Sequence, residues 1–184
     1  MKKQNLTKYK TPDDFRGKPK VIVQLWWIVQ STLFKLSPQV MYGWRRFLLR
    51  SFGAEIGKGV IIRPTAKITY PWKVKIDDYS WIGDDVVLYS LGSIIIGKNA
   101  VVSQKSYICT GTHDYSKIDF PIEAHDITIE DECWLATDVF VSPGVTIKKG
   151  VVVGARSTVI KDLDANSVYV GSPARFIKKR KIEQ

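Results

Sequence analysis

Two histidines mark one polar stretch of this chain, HDYSKIDFPIEAHDIT, which runs from His113 to Thr128. A neutral imidazole titrates near neutral pH, so it can take a proton from an attacking hydroxyl and return it to a leaving group. His113 opens the stretch and is the candidate general base. The alternative for a loop histidine is a bond to the backbone. Asp114 follows it directly and is a candidate for tuning or positioning. His125 near the other end reads as structural or as facing an acceptor. A catalytic zinc held by three histidines leaves an open position for chemistry. With His113 and His125 as the only histidines, no metal is expected. Cys109 and Cys133 form no CxxC pair and sit in apolar-periodic stretches, which suits small buried core residues in a reducing cytoplasm.

The elements that must position His113 come from a repeat. An aliphatic residue returns every six positions: Ile56, Ile62, Ile68, then after a two-residue slip Ile76, Ile82, Leu88, and after another Ile96, Val102, Ile108. Beyond the polar stretch come Ile129, Leu135, Val141, Ile147, Val153 and Val159. Four places after most anchors stands a small or β-branched residue, among them Ala66, Ser80, Ala100, Thr112, Cys133 and Ser157. Gly follows several anchors, as at Gly57, Gly83, Gly97 and Gly154. A period of six is neither a helical face nor a strand alternation. It predicts a coil with three short flat faces, stacked into a parallel β-helix around one apolar core. The break over 113–128 predicts an inserted loop, and such insertions often mark the binding side of a solenoid.

The ends differ from the body. Residues 1–50 carry 11 Lys/Arg and 2 Asp/Glu, residues 175–184 carry 5 and 1, and residues 51–174 carry 12 and 15. The net charge of +10 therefore sits in the two ends, and the slightly acidic body argues against nucleic acid as a partner. The basic ends suit an anionic ligand, a membrane surface or plain solvation. The apolar run from 21 to 36 is shorter than the roughly 20 mainly apolar residues of a membrane span. With Trp26, Trp27, Phe34, Trp44 and Phe47 it suits an interfacial helix, or equally a helix packed on the body or a neighbouring subunit. Residues 1–50 thus predict a basic, aromatic-rich helical segment and residues 51–166 the β-helix. Residues 167–184 predict a final strand, a Gly-Ser-Pro turn and a short basic helix. No signal-peptide pattern opens the chain, and a cytoplasmic protein is expected, either free or peripheral at the membrane's inner face through residues 1–50.

The sequence resembles the hexapeptide-repeat acetyltransferases, nearest to the colanic-acid acetyltransferase group, with maltose, galactoside and nodulation acetyltransferases as wider relatives. The likeness rests on Tyr42–Arg50, the block Cys109-Thr110-Gly111-Thr112-His113-Asp114-Tyr115-Ser116, Trp134, Ser142–Ile147, Gly154-Ala155-Arg156-Ser157 and Gly171-Ser172-Pro173-Ala174-Arg175. It implies a left-handed coil, acetyl-CoA as co-substrate, a homotrimer with sites between subunits, and His113 as general base for a hydroxyl attacking the thioester. It implies Trp134 beside the pantetheine arm, Thr137 and Ala155 touching that arm through their backbone, and Lys161, Arg175 and Lys178 near the nucleotide phosphates. Charged-tail solvation is the alternative for these cations. Ile160 departs from the Thr of many relatives, and Gly83 stands where sugar acetyltransferases keep an Asn. Asp84 and Tyr89, with Asp114, are therefore the acceptor-side candidates. The resemblance suggests a saccharide acceptor, including a lipid-linked unit of an exopolysaccharide. A non-catalytic scaffold or membrane-surface protein on the same coil is the rival reading, for which a replaced His and a missing loop would be expected.

Overall fold

The computed structural model describes residues 3–181. From Glu55 onward, short strands wind into three parallel sheets, which form the three faces of a prism. The first face holds Glu55–Ile56, Val74–Ile76, Ile94–Ile96, Ile127–Ile129 and Thr146–Ile147. The second holds Ile61–Ile62, Trp81–Ile82, Val101–Val102, Trp134–Leu135, Val152–Val153 and Ser167–Val170. The third holds Lys67–Ile68, Val87–Tyr89, Tyr107–Cys109, Phe140–Val141 and Thr158–Val159.

The six-residue anchors stack in register. Ile56, Ile76, Ile96, Ile129 and Ile147 pair in one column. Ile62, Ile82, Val102, Leu135, Val153 and Tyr169 form a second, and Ile68, Leu88, Ile108, Val141 and Val159 a third. All are buried. Three residues after the anchor the chain turns the corner in the left-handed region. Gly59, Tyr79, Asp85, Asn99, Lys105, Glu132, Asp138, Gly144, Gly150 and Arg156 have φ between +53° and +81°. A non-Gly residue there costs about 1–2 kcal/mol. Burying the neighbouring aliphatic anchor returns about 1.5–3 kcal/mol, so the corner closes even without glycine. The glycine directly after an anchor has a different cause. A Cβ on Gly57, Gly83 or Gly97 would lie 2.6 Å from the backbone nitrogen of Asp78, Gln104 or Asp131 in the next coil.

The two-residue slips fall at one corner, between the third and first faces. There Pro71–Lys73 forms a 3-10 turn, and residues 90–93 widen the coil above it. The interruption over 113–128 leaves from the same corner and is a β-hairpin, with Gly111–His113 antiparallel to Ile122–Ala124. The coil resumes at Ile127, so the insertion starts and ends slightly earlier than expected. Thr112, expected at a coil corner, belongs to the hairpin. Thr110 takes the buried place, its Oγ1 donating to the Tyr89 carbonyl at 2.7 Å and accepting from Gly92 N at 2.9 Å.

The helical segment caps the first coil. Helix α1 spans Lys20–Val29, continues through a π turn at Gln30–Phe34, and is followed by α2 over Tyr42–Ser51. The first coil has no coil beneath it, so its edge carbonyls need donors. Arg45 is fully buried and donates to the Ile62 carbonyl at 2.6 Å, to Ser37 Oγ at 2.8 Å and to the Pro38 and Gln39 carbonyls. Arg46 donates to the Val60 carbonyl and Arg50 to the Ile56 carbonyl. Trp26 Nε1 donates to the Ile68 carbonyl at 2.8 Å, and Gln30 Oε1 accepts from Ile68 N.

The other end departs from expectation. The short basic helix after Pro173 does not form; Arg175–Lys179 is a strand antiparallel to Ser167–Val170. Ser167–Val170 is the last parallel strand of the second face and would otherwise leave its outer edge unpaired. The returning strand satisfies that edge, with Phe176 edge-on to Tyr169 at 5.9 Å. Residues 182–184 of the expected helix lie outside the described residues.

Candidate active site

His113 ends the hairpin's first strand, opposite Ile122 in the last pair before the tip. Its Nδ1 lies 3.0 Å from the Phe120 carbonyl. A carbonyl only accepts, so in the neutral ring Nδ1 carries the hydrogen and Nε2 keeps its lone pair. The Phe120 ring stacks on the imidazole at 4.2 Å and 11°, while Tyr9 approaches at 6.4 Å. The imidazole is thus held in plane and in tautomer, and it stays partly open to solvent. The hydrogen bond to the backbone is compatible with the role of a base, since it engages Nδ1 and not Nε2.

The hairpin is buttressed by a small second core. Val23, Tyr70 and Leu91 are buried together, with Phe15, Trp72, Tyr89, Ile122 and Ala124 packed around them. The chain before α1 is tied into it. Lys73 Nζ donates to the Phe15 carbonyl at 2.7 Å and to the Leu91 carbonyl, and Asn5 N donates to the Ile118 carbonyl at 2.6 Å. Gly111 is required by close approach, since a Cβ there would meet Leu91 Cδ1 at 2.6 Å and Tyr89 Cε1 at 2.8 Å. A cleft of about 630 Å³ opens between residues 12–15 and the hairpin strand 122–125. Nothing in the sequence pattern singled out Phe120, Tyr9 or Lys73, because their partners lie in other segments.

Asp114 makes no bond to His113. Its carboxylate accepts from Ser116 N at 2.9 Å and Ser116 Oγ at 2.5 Å, and pairs with Lys117 at 3.1 Å. These Ser116 bonds, with Lys117, hold its carboxyl below the usual value. It shapes the hairpin tip. His125 is exposed, with Nε2 3.5 Å from Glu123. Tyr89 lies under the hairpin base with its phenol pushed up by burial, and its ring meets Tyr107 at 6.0 Å. Asp84 sits elsewhere, at the corner between the second and third faces, bound to Arg63 at 2.8 Å and Thr65 at 3.2 Å. Burial also raises the Cys109 thiol, and raises that of Cys133 to about 11, so both stay protonated near neutral pH.

The donor-side candidates gather on another part of the prism. Trp134 projects outward from the second face, half exposed, its Nε1 donating to Ser103 Oγ at 3.0 Å. Thr137 and Ala155 turn the adjacent corner in successive coils, with Arg156 N donating to the Thr137 carbonyl at 2.9 Å. Arg175 and Lys178 lie exposed on the terminal strand of the same sheet. Lys161 is exposed on the same corner as the hairpin but two coils beyond it. In a three-faced coil, the corner between the third and first faces lies opposite the second face. His113 and Trp134 therefore stand on opposite sides of one chain. Among the described residues, no group of three or more His, Cys, Asp or Glu is arranged to hold a metal.

No family model matches the chain. It is 59% identical over 177 residues to WcaF of Escherichia coli strain K12, a protein provisionally named a colanic acid biosynthesis acetyltransferase, with 96% of this chain and 97% of that one covered. Among solved structures, a hexapeptide-repeat acetyltransferase of Vibrio cholerae superposes with TM-score 0.81 at 22% identity, covering 96% of this chain and 98% of the other. A galactoside acetyltransferase in complex with coenzyme A gives TM-score 0.81 at 20% identity over 92% and 84%. The two structural likenesses carry the fold, a left-handed parallel β-helix; the sequence identity carries the kinship. The chain belongs to the hexapeptide-repeat acetyltransferases, in the group of the colanic-acid biosynthesis enzyme.

Proposed function

We propose that this protein moves an acetyl group from acetyl-CoA to a hydroxyl of a saccharide in exopolysaccharide biosynthesis, with His113 as general base. The observation that carries the reading is the 3.0 Å contact of His113 Nδ1 with the Phe120 carbonyl, which leaves Nε2 as the proton acceptor. Bound acetyl-CoA would supply a thioester carbon as the electrophile. Nε2 takes the hydroxyl proton as the alcohol oxygen bonds to that carbon. The C–S bond then breaks, and the imidazolium returns the proton to the departing sulfur, leaving an ester and a free thiol. No acyl-enzyme is needed.

Trp134, with its indole fixed by Ser103, suits the apolar wall of the pantetheine arm. The exposed corners at Thr137 and Ala155 offer backbone groups, and Arg175, Lys178 and Lys161 offer cations to phosphates. The opposite positions of His113 and Trp134 favour a site made by two copies, as in a homotrimer with cyclic closure. Tyr89, beneath the hairpin base against Gly111, is the acceptor-side candidate on the same corner that the hairpin tip does not engage. Asp84 would serve an acceptor only from a neighbouring copy, and Asp114 acts through the hairpin tip. A lipid-linked acceptor would bring the enzyme, through residues 1–50, to the cytoplasmic side of a membrane.

His113→Ala is expected to lower acetyl transfer by at least ~100-fold, with coenzyme A binding and assembly unchanged. The measurement is acetyl-CoA consumption against a panel of saccharides and lipid-linked oligosaccharides. Undiminished transfer by the variant would remove the base.

A further inference from the structure

The first helical segment has two apolar sides. Val23, Trp26 and Phe34 face the coil and are fully buried. On the other side Val21, Leu25, Ile28, Leu33 and Leu36 follow at spacings of four, three, five and three residues. The step of five falls across the π turn Gln30–Phe34, whose wider turn takes one extra residue and keeps Leu33 and Leu36 in line with the residues before it. This outer stripe is bare: Val21 is 75% exposed, Ile28 60% and Leu36 76%, and Val40 beyond it 80%. An amphipathic helix whose only task was to close the coil would carry polar residues there.

The charge around the stripe points to its occupant. Between Asp14 and Glu55 the chain contains no Asp or Glu. Of the cations in that interval, Arg45, Arg46 and Arg50 are committed to carbonyls of the first coil. Lys18, Lys20 and Lys35 are exposed and make no salt bridge among the described residues. Lys20, Trp27 and Lys35 share one flank of the helix, an arrangement that seats an indole and ammonium groups at a lipid headgroup boundary. The location fits as well. The segment closes the first coil, with Trp26 and Gln30 bonded to Ile68 at its edge, so its outer side faces away from the coil's core. In a cyclic assembly all such ends lie on one side, and several weak contacts then act together.

We infer that the stripe Val21, Leu25, Ile28, Leu33 and Leu36, with Lys18, Lys20 and Lys35, is a docking surface for an anionic lipid bilayer. The inference deepens the proposed function, and rests on it, in naming the surface that brings the enzyme to a lipid-borne acceptor. No helix among the described residues is long and apolar enough to cross a membrane, so the contact is peripheral.

The test is flotation of the full chain with vesicles of phosphatidylcholine alone and of phosphatidylcholine with about one third phosphatidylglycerol. Binding is expected to the anionic vesicles, falling steeply from about 50 to about 500 mM salt. Leu25→Glu/Ile28→Glu should cut the bound fraction roughly tenfold, with melting and acetyl-CoA turnover on a soluble saccharide unchanged. Lys20→Gln/Lys35→Gln should weaken binding to anionic vesicles without promoting binding to neutral ones. Flotation of the double-Glu variant at the original level would overturn the assignment, as would failure of the full chain to float. So would a doubled assembly mass that the double-Glu variant abolishes, since the occupant would then be a second copy. Vesicle binding without acetyl transfer to any acceptor would sink the enzymatic reading alone.

Discussion

A site divided between copies can be tested by restoring activity from two inactive halves. His113→Ala removes the base but leaves the second face intact. Ala155→Trp does the reverse: Ala155 is exposed at its corner, so a large side chain there obstructs the donor groove without disturbing the core. Each variant alone is expected to retain under ~1% of wild-type transfer. When the two are unfolded together in equal amounts and refolded, copies assort at random. If each site takes its base from one copy and its donor groove from the next, a site is intact when the first carries Ala155→Trp and the second His113→Ala. That occurs in about one quarter of sites, so the mixture should recover about a quarter of wild-type turnover. Differently tagged chains would verify mixing, and acetyl-CoA consumption would read the rate. Verified mixed assemblies with no recovery would place base and donor on one chain and refute the argument from opposite sides of the prism.

Two further outcomes follow from buried groups. Arg45→Met should destabilise the protein by about 3 kcal/mol, because several carbonyls at the base of the coil lose a charged donor; urea unfolding measures it, and a loss below about 1 kcal/mol would mean that the cap closes in another way. Cys133 has its thiol raised to about 11 by burial, so iodoacetamide should label it in the folded state far more slowly than in urea. A raised thiol value stabilises the fold fully below the unfolded thiol value of about 8.5, and that contribution declines as pH rises toward the folded value. Cys133→Ala should therefore flatten the loss of stability above pH ~9, as read by denaturation at a series of pH values.

The coil could be read from sequence because its determinants are local and repeated. One aliphatic anchor per six residues, a small or β-branched residue four places later and a glycine where the next coil approaches are separate physical demands, and each leaves a residue type behind. His113 was visible because it stands where that regularity stops. The hairpin was less so. Its two strands pair Gly111 with Ala124 across a tip ordered by Asp114, Ser116 and Lys117, and no repeat announces such contacts. The tautomer of His113 depends on a backbone carbonyl, which any residue at position 120 could offer. The terminal segment was misread for a related reason. Arg175–Lys179 has no strong intrinsic preference, and the open edge of Ser167–Val170 decides its state.

A regular β-helix presents three nearly flat faces, and flat faces make poor enclosures for a reaction that must exclude water. The chain breaks the regularity at one corner only, where two widened turns, a hairpin and the turn-rich lead into α1 meet around Tyr70, Leu91 and Val23. In the proposed mechanism that corner carries the base and one wall. The opposite face supplies an outward Trp134 beside a corner lined by Thr137 and Ala155. Neither makes a cleft by itself. Association of identical prisms, corner to face, would bring the two together at each contact, so enclosure and assembly would arise from the same packing. A variant that only weakens association, with all site residues kept, should therefore lose kcat in proportion to the assembly it loses, which dilution followed by a turnover assay would read.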